Sequence, residues 1–368
     1  MSTPEKILPQ YSGGCLSGIV PALCAPGGPR TVPAWMPHVV AGAERVVLML
    51  VDGLGWNQFQ KYAEHLPTLS GFTGSHITTV APSTTATALT SLATGLAPSE
   101  HGLLGYRLDM GDTVMNVLRW GDENTDLRRR YPPELVQPCP PFLGLSVPVM
   151  SKGELEGSGF TQAHLAGVKH KGWRAASSIP VLVRDALAAG EDFVYVYYDG
   201  VDKIAHERGF GDFYNAELRA VDALLADVLS VLPSDAVLVV TADHGQVHVG
   251  DNTIIPSSEV TALVHHQSGE GRFRWLHAER GRSAALWEAC QQYLDVAWVV
   301  TKDQVIDEKW FGNRMSDEVQ RRMGDVALVA HGPVSFDEPL DSGAFPLVCR
   351  HGSLTADEML VPLLAHKA

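Results

Sequence analysis

The chain has 368 residues, 45% hydrophobic and 19% charged, enough for one large domain or two ordinary ones around a sizeable core. A formal charge of −14 and a pI near 5.5 argue against nucleic-acid polymers and anionic membrane surfaces as partners. Small phosphate esters stay open as substrates, provided that a metal ion supplies local positive charge.

Five cysteines, Cys15, Cys24, Cys139, Cys290 and Cys349, lack Cys-x-x-Cys spacing. Such a sparse, odd set predicts reduced thiols and a cytoplasmic chain. The first residues show no apolar stretch after a basic flank, and no run of about 18 apolar residues occurs, so neither a signal peptide nor a membrane span is expected.

Residues 1–40 are rich in proline and glycine and read as an irregular arm laid over the core. Val46–Val51 is a continuous apolar run, which suits a central parallel strand buried on both faces. It ends in Asp52-Gly53, and the carboxyl end of a parallel strand is where open α/β sheets place their sites. Residues 80–102 then present Pro82 and three hydroxyls, Ser83, Thr84 and Thr85, before an Ala/Leu-rich run that stops at Gly95. That pattern predicts a loop feeding a helix. A helix N-terminus attracts anions, and a hydroxyl placed there could attack phosphorus. A well-capped buried helix with no chemistry fits the same residues.

Residues 107–140 are polar and mixed, with no clear element. A short strand is expected at 145–150 and a helix at 173–189. Phe193–Tyr198 is a second β-rich run, leading into Asp199, Asp202 and His206. A long amphipathic helix should cover 213–231. The next apolar run, 236–240, ends in Asp243-His244-Gly245. Residues 260–335 read as an insertion, a βαβ-like cap with strands at 273–276, 296–300 and 325–330 and a helix at 283–294. The tail returns through 345–349 to His351-Gly352 and a last amphipathic segment, 356–364. Strands alternating with helices predict an α/β fold with a mostly parallel central sheet flanked by helices on both faces. One domain over 41–368 would carry the cap at about 260–335.

Three apolar strands thus end in acids or Asp/His pairs, and a further histidine follows near the C-terminus. Any one of these has an ordinary explanation as a turn former or a satisfied core group. Together, Asp52, Asp202, His206, Asp243, His244 and His351 offer the oxygen and nitrogen donors that zinc prefers. Asp202 and His206, four apart, share one face of a helical turn. Six such ligands form two sets of three, each with an open position, as two-metal phosphoryl transfer requires.

These pieces, Val51-Asp52-Gly53, Pro82-Ser83-Thr84-Thr85, Thr94-Gly95, Pro98-x-x-His101-Gly102, Asp202-x-x-x-His206, Ala242-Asp243-His244-Gly245 and His351-Gly352, resemble the alkaline phosphatase superfamily. They are most similar to its nucleotide pyrophosphatase/phosphodiesterase family, in the family's order from residue 46 to the C-terminus. The resemblance implies an alkaline phosphatase-like catalytic domain. It implies Thr85 as nucleophile and metal contact, with Asp52, Asp243 and His244 on the metal that activates it. Asp202, His206 and His351 would hold the other metal. It places His101-Gly102 in a structural turn. Thr84 is the competing hydroxyl, and the spacing from Pro82 to Gly95 favours Thr85. The family's aromatic-Pro-Asn run after the nucleophile is replaced here by Ala86, Thr87 and Ala88, which removes a side-chain oxyanion donor and one aromatic wall. No sulfatase Cys/Ser-x-Pro-x-Arg motif occurs, and the first arginine after Thr85 is Arg107.

The expected activity is hydrolysis of phosphate diesters or phosphoanhydrides through a phospho-threonine intermediate. Two Zn2+ ions would serve it, with Mn2+ or another divalent ion as substitutes. The partner is a small phosphate ester, with no nucleic-acid polymer and no membrane. A phosphomonoesterase or phosphonate hydrolase with the same metals is the alternative, and a non-catalytic binding member is the alternative of another class.

Overall fold

A computed structural model describes residues 4–24, 32–123, 125–338 and 346–368. Seven strands build the central sheet in the order β2-β13-β8-β1-β7-β5-β6. They are β1 (Arg45–Val51), β2 (Thr73–Thr78), β5 (Pro148–Met150), β6 (Lys169–His170), β7 (Phe193–Tyr198), β8 (Ala236–Thr241) and β13 (Leu360–Lys367). β1 lies between β7 and β8, parallel to both, and Val46–Val51 are wholly buried. The apolar runs form these strands because each is covered by helices on both faces. β13 runs antiparallel to β8 and to β2, so the sheet is mostly parallel with an antiparallel edge, as expected.

The helices follow the strands. α1 (Thr85–Thr94) is buried along its whole length and stops at Gly95, which takes the left-handed φ of 74°. α2 (Ile179–Ala188) starts six residues later than the pattern predicts, because a 3-10 turn over Ala176–Ser178 precedes it. α3 (Gly200–Arg208) follows β7 directly, and α4 (Asp212–Ser230) buries Leu218, Val221, Leu224, Leu225 and Val228. No helix among the described residues is long and apolar enough to cross a membrane.

A second sheet has six strands in the order β11-β12-β10-β9-β3-β4. Its strands are β3 (Arg107–Asp109), β4 (Val114–Asn116), β9 (Val264–Glu270), β10 (Phe273–Ala278), β11 (Ala297–Thr301) and β12 (Val326–Ala330). α5 (Ser283–Cys290) connects β10 to β11. β10 and β11 both pair antiparallel with β12, so they run the same way with β12 between them. The β3–β4 hairpin comes from residues 107–116, which carry no strand signal in the sequence.

The N-terminal residues pack on both layers. Cys15 bridges to Thr78 of β2, Ile7 N donates to Leu354 O at 2.9 Å, and the Tyr11 hydroxyl donates to Trp310 O at 2.9 Å. The second sheet is tied to the core by Arg272, in the turn between β9 and β10. Its guanidinium grips Glu358 in two parallel bonds of 2.7 and 2.8 Å, with neither side chain exposed.

Candidate active site

Three strand ends and one helix start converge. β1 delivers Asp52, β8 delivers Asp243-His244, β7 leads through α3 to Asp202 and His206, and α1 opens on Thr85. His351 arrives after the two-residue strand Cys349–Arg350, which pairs with Val247–His248. Gly53 permits the close approach. Its φ is 76°, and a Cβ there would meet Asp202 Cα and Cβ at 3.0 Å.

Thr85 Oγ1 lies 3.1 Å from His244 Nε2. The same nitrogen is 3.3 Å from Asp243 Oδ2 and 3.5 Å from Asp52 Oδ1. On the other side, Asp202 Oδ1 lies 3.2 Å from His206 Nε2 and 3.9 Å from His351 Nε2. The His244 and His351 rings stack at 3.5 Å, so the two halves of the cluster touch. All six sequence-predicted ligands and the Thr85 hydroxyl are therefore brought into one place. Asp202, His244 and His351 also form a compact trio, so His244 borders both halves.

The imidazoles are turned by backbone carbonyls. His244 Nδ1 faces Gly245 O at 3.1 Å, His206 Nδ1 faces Cys349 O at 2.6 Å, and His351 Nδ1 faces Ser83 O at 2.9 Å. A carbonyl only accepts, so each Nδ1 carries the proton and each Nε2 presents its lone pair inward. Histidine ligands of metals are held in this way. The carboxylates are held too. Asp243 Oδ1 accepts from the backbone N–H of Gly53 and of His244, both at 3.1 Å. Asp52 Oδ2 accepts from the Tyr197 hydroxyl at 2.5 Å, and Asp202 Oδ1 from Gln246 Nε2 at 2.8 Å.

The inward oxygens are left over. Asp52 Oδ1 and Asp243 Oδ2 are buried and accept no hydrogen bond. Burial, and then repulsion from Asp243 and Asp202, pushes the Asp52 carboxyl well above its usual range. Burial likewise raises Asp202 and Asp243, and lowers His244 and His351. A protein without cations would hold these groups neutral; divalent ions would let the carboxylates ionise and occupy every orphaned lone pair. Three carboxylates and three inward Nε2 atoms fit borderline divalent cations.

A search of curated proteins finds no match to the chain. The family model for type I phosphodiesterase / nucleotide pyrophosphatase matches residues 46–164 and 163–352. The chain belongs to the type I phosphodiesterase / nucleotide pyrophosphatase family. It is a phosphodiesterase/nucleotide pyrophosphatase-like hydrolase, of a family that uses divalent metals. Its fold matches human ectonucleotide pyrophosphatase/phosphodiesterase 5 at a TM-score of 0.67, with 15% identity, covering 88% of this chain and 87% of that one. The murine protein matches at 0.64, with 14% identity and 88% of each chain covered. An inactive variant of the murine protein, in complex with AMP, matches at 0.66, with 14% identity and the same coverage.

Within this family member, several site residues escaped the sequence. Tyr197 reads only as strand residue, although Tyr195 and Tyr197 alternate onto one face of β7. Gln246 carries no charge and hence no signal, and Ser83 stands out in the sequence only as a loop hydroxyl, not as the carbonyl that turns His351. Asp199 holds Lys152 at 2.8 Å and Lys203 at 2.6 Å, and lines a pocket of about 210 Å3 with Thr85, Leu89, Phe160, Tyr197 and Lys203.

His101 sits outside the cluster, in the turn after α1. Its Nδ1 accepts from Leu103 N at 3.2 Å, so its Nε2–H donates to Ser91 Oγ at 2.8 Å. Burial, then Arg322, pushes its pKa down to about 3. The unfolded imidazole titrates near 6.5, so between about 6.5 and 3 the unfolded chain binds a proton that the native one refuses. This stability is fully present above pH 6.5 and is lost as pH falls, by about 1.4 kcal/mol per pH unit. Urea unfolding at pH 6 and pH 5 should show that difference between the wild type and His101→Gln. Equal pH slopes would show that His101 is protonated in the fold.

Proposed function

We propose that this chain hydrolyses phosphate diesters or phosphoanhydrides through a phospho-threonine on Thr85, with two zinc ions as cofactors. The observation that carries the reading is Thr85 Oγ1 at 3.1 Å from His244 Nε2, beside the orphaned oxygens of Asp52 and Asp243. Asp52, Asp243 and His244 would hold one ion beside Thr85, and Asp202, His206 and His351 the other. Bound there, the ions supply Lewis-acid charge that favours the threonine alkoxide and the leaving oxygen.

The chain's own residues do the rest. Thr85 gives up its proton to water, and Oγ1 attacks phosphorus in line as the P–O bond to the leaving group breaks and the expelled oxygen takes a proton from water. The Thr84 side chain forms no cap on α1, so the N-terminal N–H groups of that helix face the phosphoryl oxygens without that competitor. Water then splits the phospho-threonine and restores the hydroxyl. Tyr197 and Gln246 keep Asp52 and Asp202 oriented throughout.

The pocket beside Thr85, at about 210 Å3, lies below the ~300–1,000 Å3 usual for ligand sites, which supports a small ester group. Phe160, stacked on His164 at 4.0 Å, offers it an aromatic surface from a segment away from the vacant Ala86 position. The AMP bound by the murine relative's inactive variant supports a nucleotide-like substrate.

The test compares kcat/KM for bis-p-nitrophenyl phosphate, p-nitrophenyl phosphate and the p-nitrophenyl ester of thymidine monophosphate, with zinc and after chelation. Both diesters should exceed the monoester, and chelation should remove all three activities. A monoester rate above both diesters refutes the diesterase reading, and full activity without metal refutes the cofactor.

A further inference from the structure

The second sheet brings together a different set of ligating side chains, which shares no residue with the Thr85 site. Asp109 closes β3, while His266 on β9 and His277 on β10 are direct cross-strand partners. An irregularity in β9 between Val264 and His266 resets which face His266 takes. His266 Nε2 lies 3.2 Å from Asp109 Oδ2, and His277 Nδ1 lies 3.4 Å from the same oxygen. The two rings stack at 4.0 Å, 18° from parallel. One ligand atom from each residue falls within 4.8 Å of the others.

We propose that Asp109, His266 and His277 bind a further transition-metal dication, of the zinc type, which pins the β3–β4 hairpin to β9 and β10. The outer atoms of the trio are already engaged. Asp109 Oδ1 accepts from Gly111 N at 2.8 Å, which leaves Oδ2 for the centre. His277 Nε2 pairs with Ser268 Oγ at 2.8 Å, which leaves Nδ1 for the centre. This is the outer support that orients metal-bound histidines.

A plain hydrogen-bonded Asp–His network explains the trio less well. His266 Nε2 is buried and lies 3.2 Å from the carboxylate, within reach of its charge but off the line of a well-aligned hydrogen bond. Buried polar nitrogens are nearly always satisfied. One cation satisfies all three atoms at once. Two imidazoles and a carboxylate favour zinc, cobalt or nickel over magnesium or calcium. His266 also borders a cleft of about 630 Å3 with Arg107, Asn116 and Gln267. That cleft supplies an entry path and room for a water in the open position.

The test is zinc content per chain, by elemental analysis of the zinc-saturated full chain after gel filtration. His266→Ala and His277→Gln should each hold one fewer zinc than the wild type, with diester turnover unchanged. Ser268→Ala keeps all three ligands and should weaken this one ion by about 10–100-fold. Equal zinc content in the wild type and both histidine variants overturns the proposal. If His277→Gln does not fold, the part-exposed His266→Ala decides alone. A wild type that holds too few ions for a two-zinc active site, yet still loses one in His266→Ala, overturns the active-site reading and supports this one.

Discussion

Thr85→Ala should lower kcat on a phosphate diester by about 10⁴–10⁶-fold, the range seen when a nucleophile is removed and only binding and electrostatic stabilisation remain. The expectation rests on position. Thr85 Oγ1 is the hydroxyl within 3.1 Å of His244 Nε2, while Thr84 is the extended residue before the helix, with φ −132° and ψ 146°. Metal content should not change, because three carboxylates and three imidazoles remain. Thr84→Ala should cost far less. The measurement is steady-state turnover beside elemental analysis of each variant. Reversed effects would make Thr84 the nucleophile, and a loss of metal in Thr85→Ala would make its hydroxyl a ligand first.

Arg272→Leu should destabilise the fold by about 3–5 kcal/mol, the cost of leaving one half of a buried ion pair without its partner. Glu358 would keep its charge with only the Ser353 N–H at 3.0 Å and the Thr355 hydroxyl at 2.5 Å to hold it. Gly332 O and Val334 O would lose donors at 2.9 and 2.8 Å. The effect should reach the site. Glu358 anchors Ser353, two residues after His351, and the backbone N–H of neighbouring Gly352 donates to Ser83 Oγ at 3.2 Å. Weaker zinc retention should therefore accompany the lower urea midpoint. Arg272→Leu together with Glu358→Leu should recover much of the stability, since paired apolar residues can replace a buried pair at little cost. A single variant within about 1 kcal/mol of wild type would show that water reaches Glu358.

The central sheet was legible where strands are buried on both faces. Val46–Val51, Phe193–Tyr198 and Ala236–Val240 are unbroken apolar runs because helices cover both sides. Strands interrupted by polar residues or proline gave no such signal. β2 reads Thr-Gly-Ser-His-Ile-Thr and is buried only at its last two residues. β13 contains Pro362 and ends exposed, so its sequence reads as an amphipathic segment. β9 begins Val-His-His-Gln and is half wet over that stretch, which hid the second sheet's middle strand.

The sequence by itself determined the chemistry on offer: acids at three strand ends, a hydroxyl at a helix start, and histidines spaced from them. Order along the chain was enough, because a parallel sheet gathers its strand ends at one edge. Only the tertiary structure decided how those groups face each other. Backbone carbonyls from Gly245, Cys349 and Ser83 choose the inward nitrogen of each histidine. Tyr197 and Gln246 fix the carboxylates from positions with no charge to announce them. Asp109, His266 and His277 meet through antiparallel pairing of strands far apart in the chain, a register that no local pattern encodes.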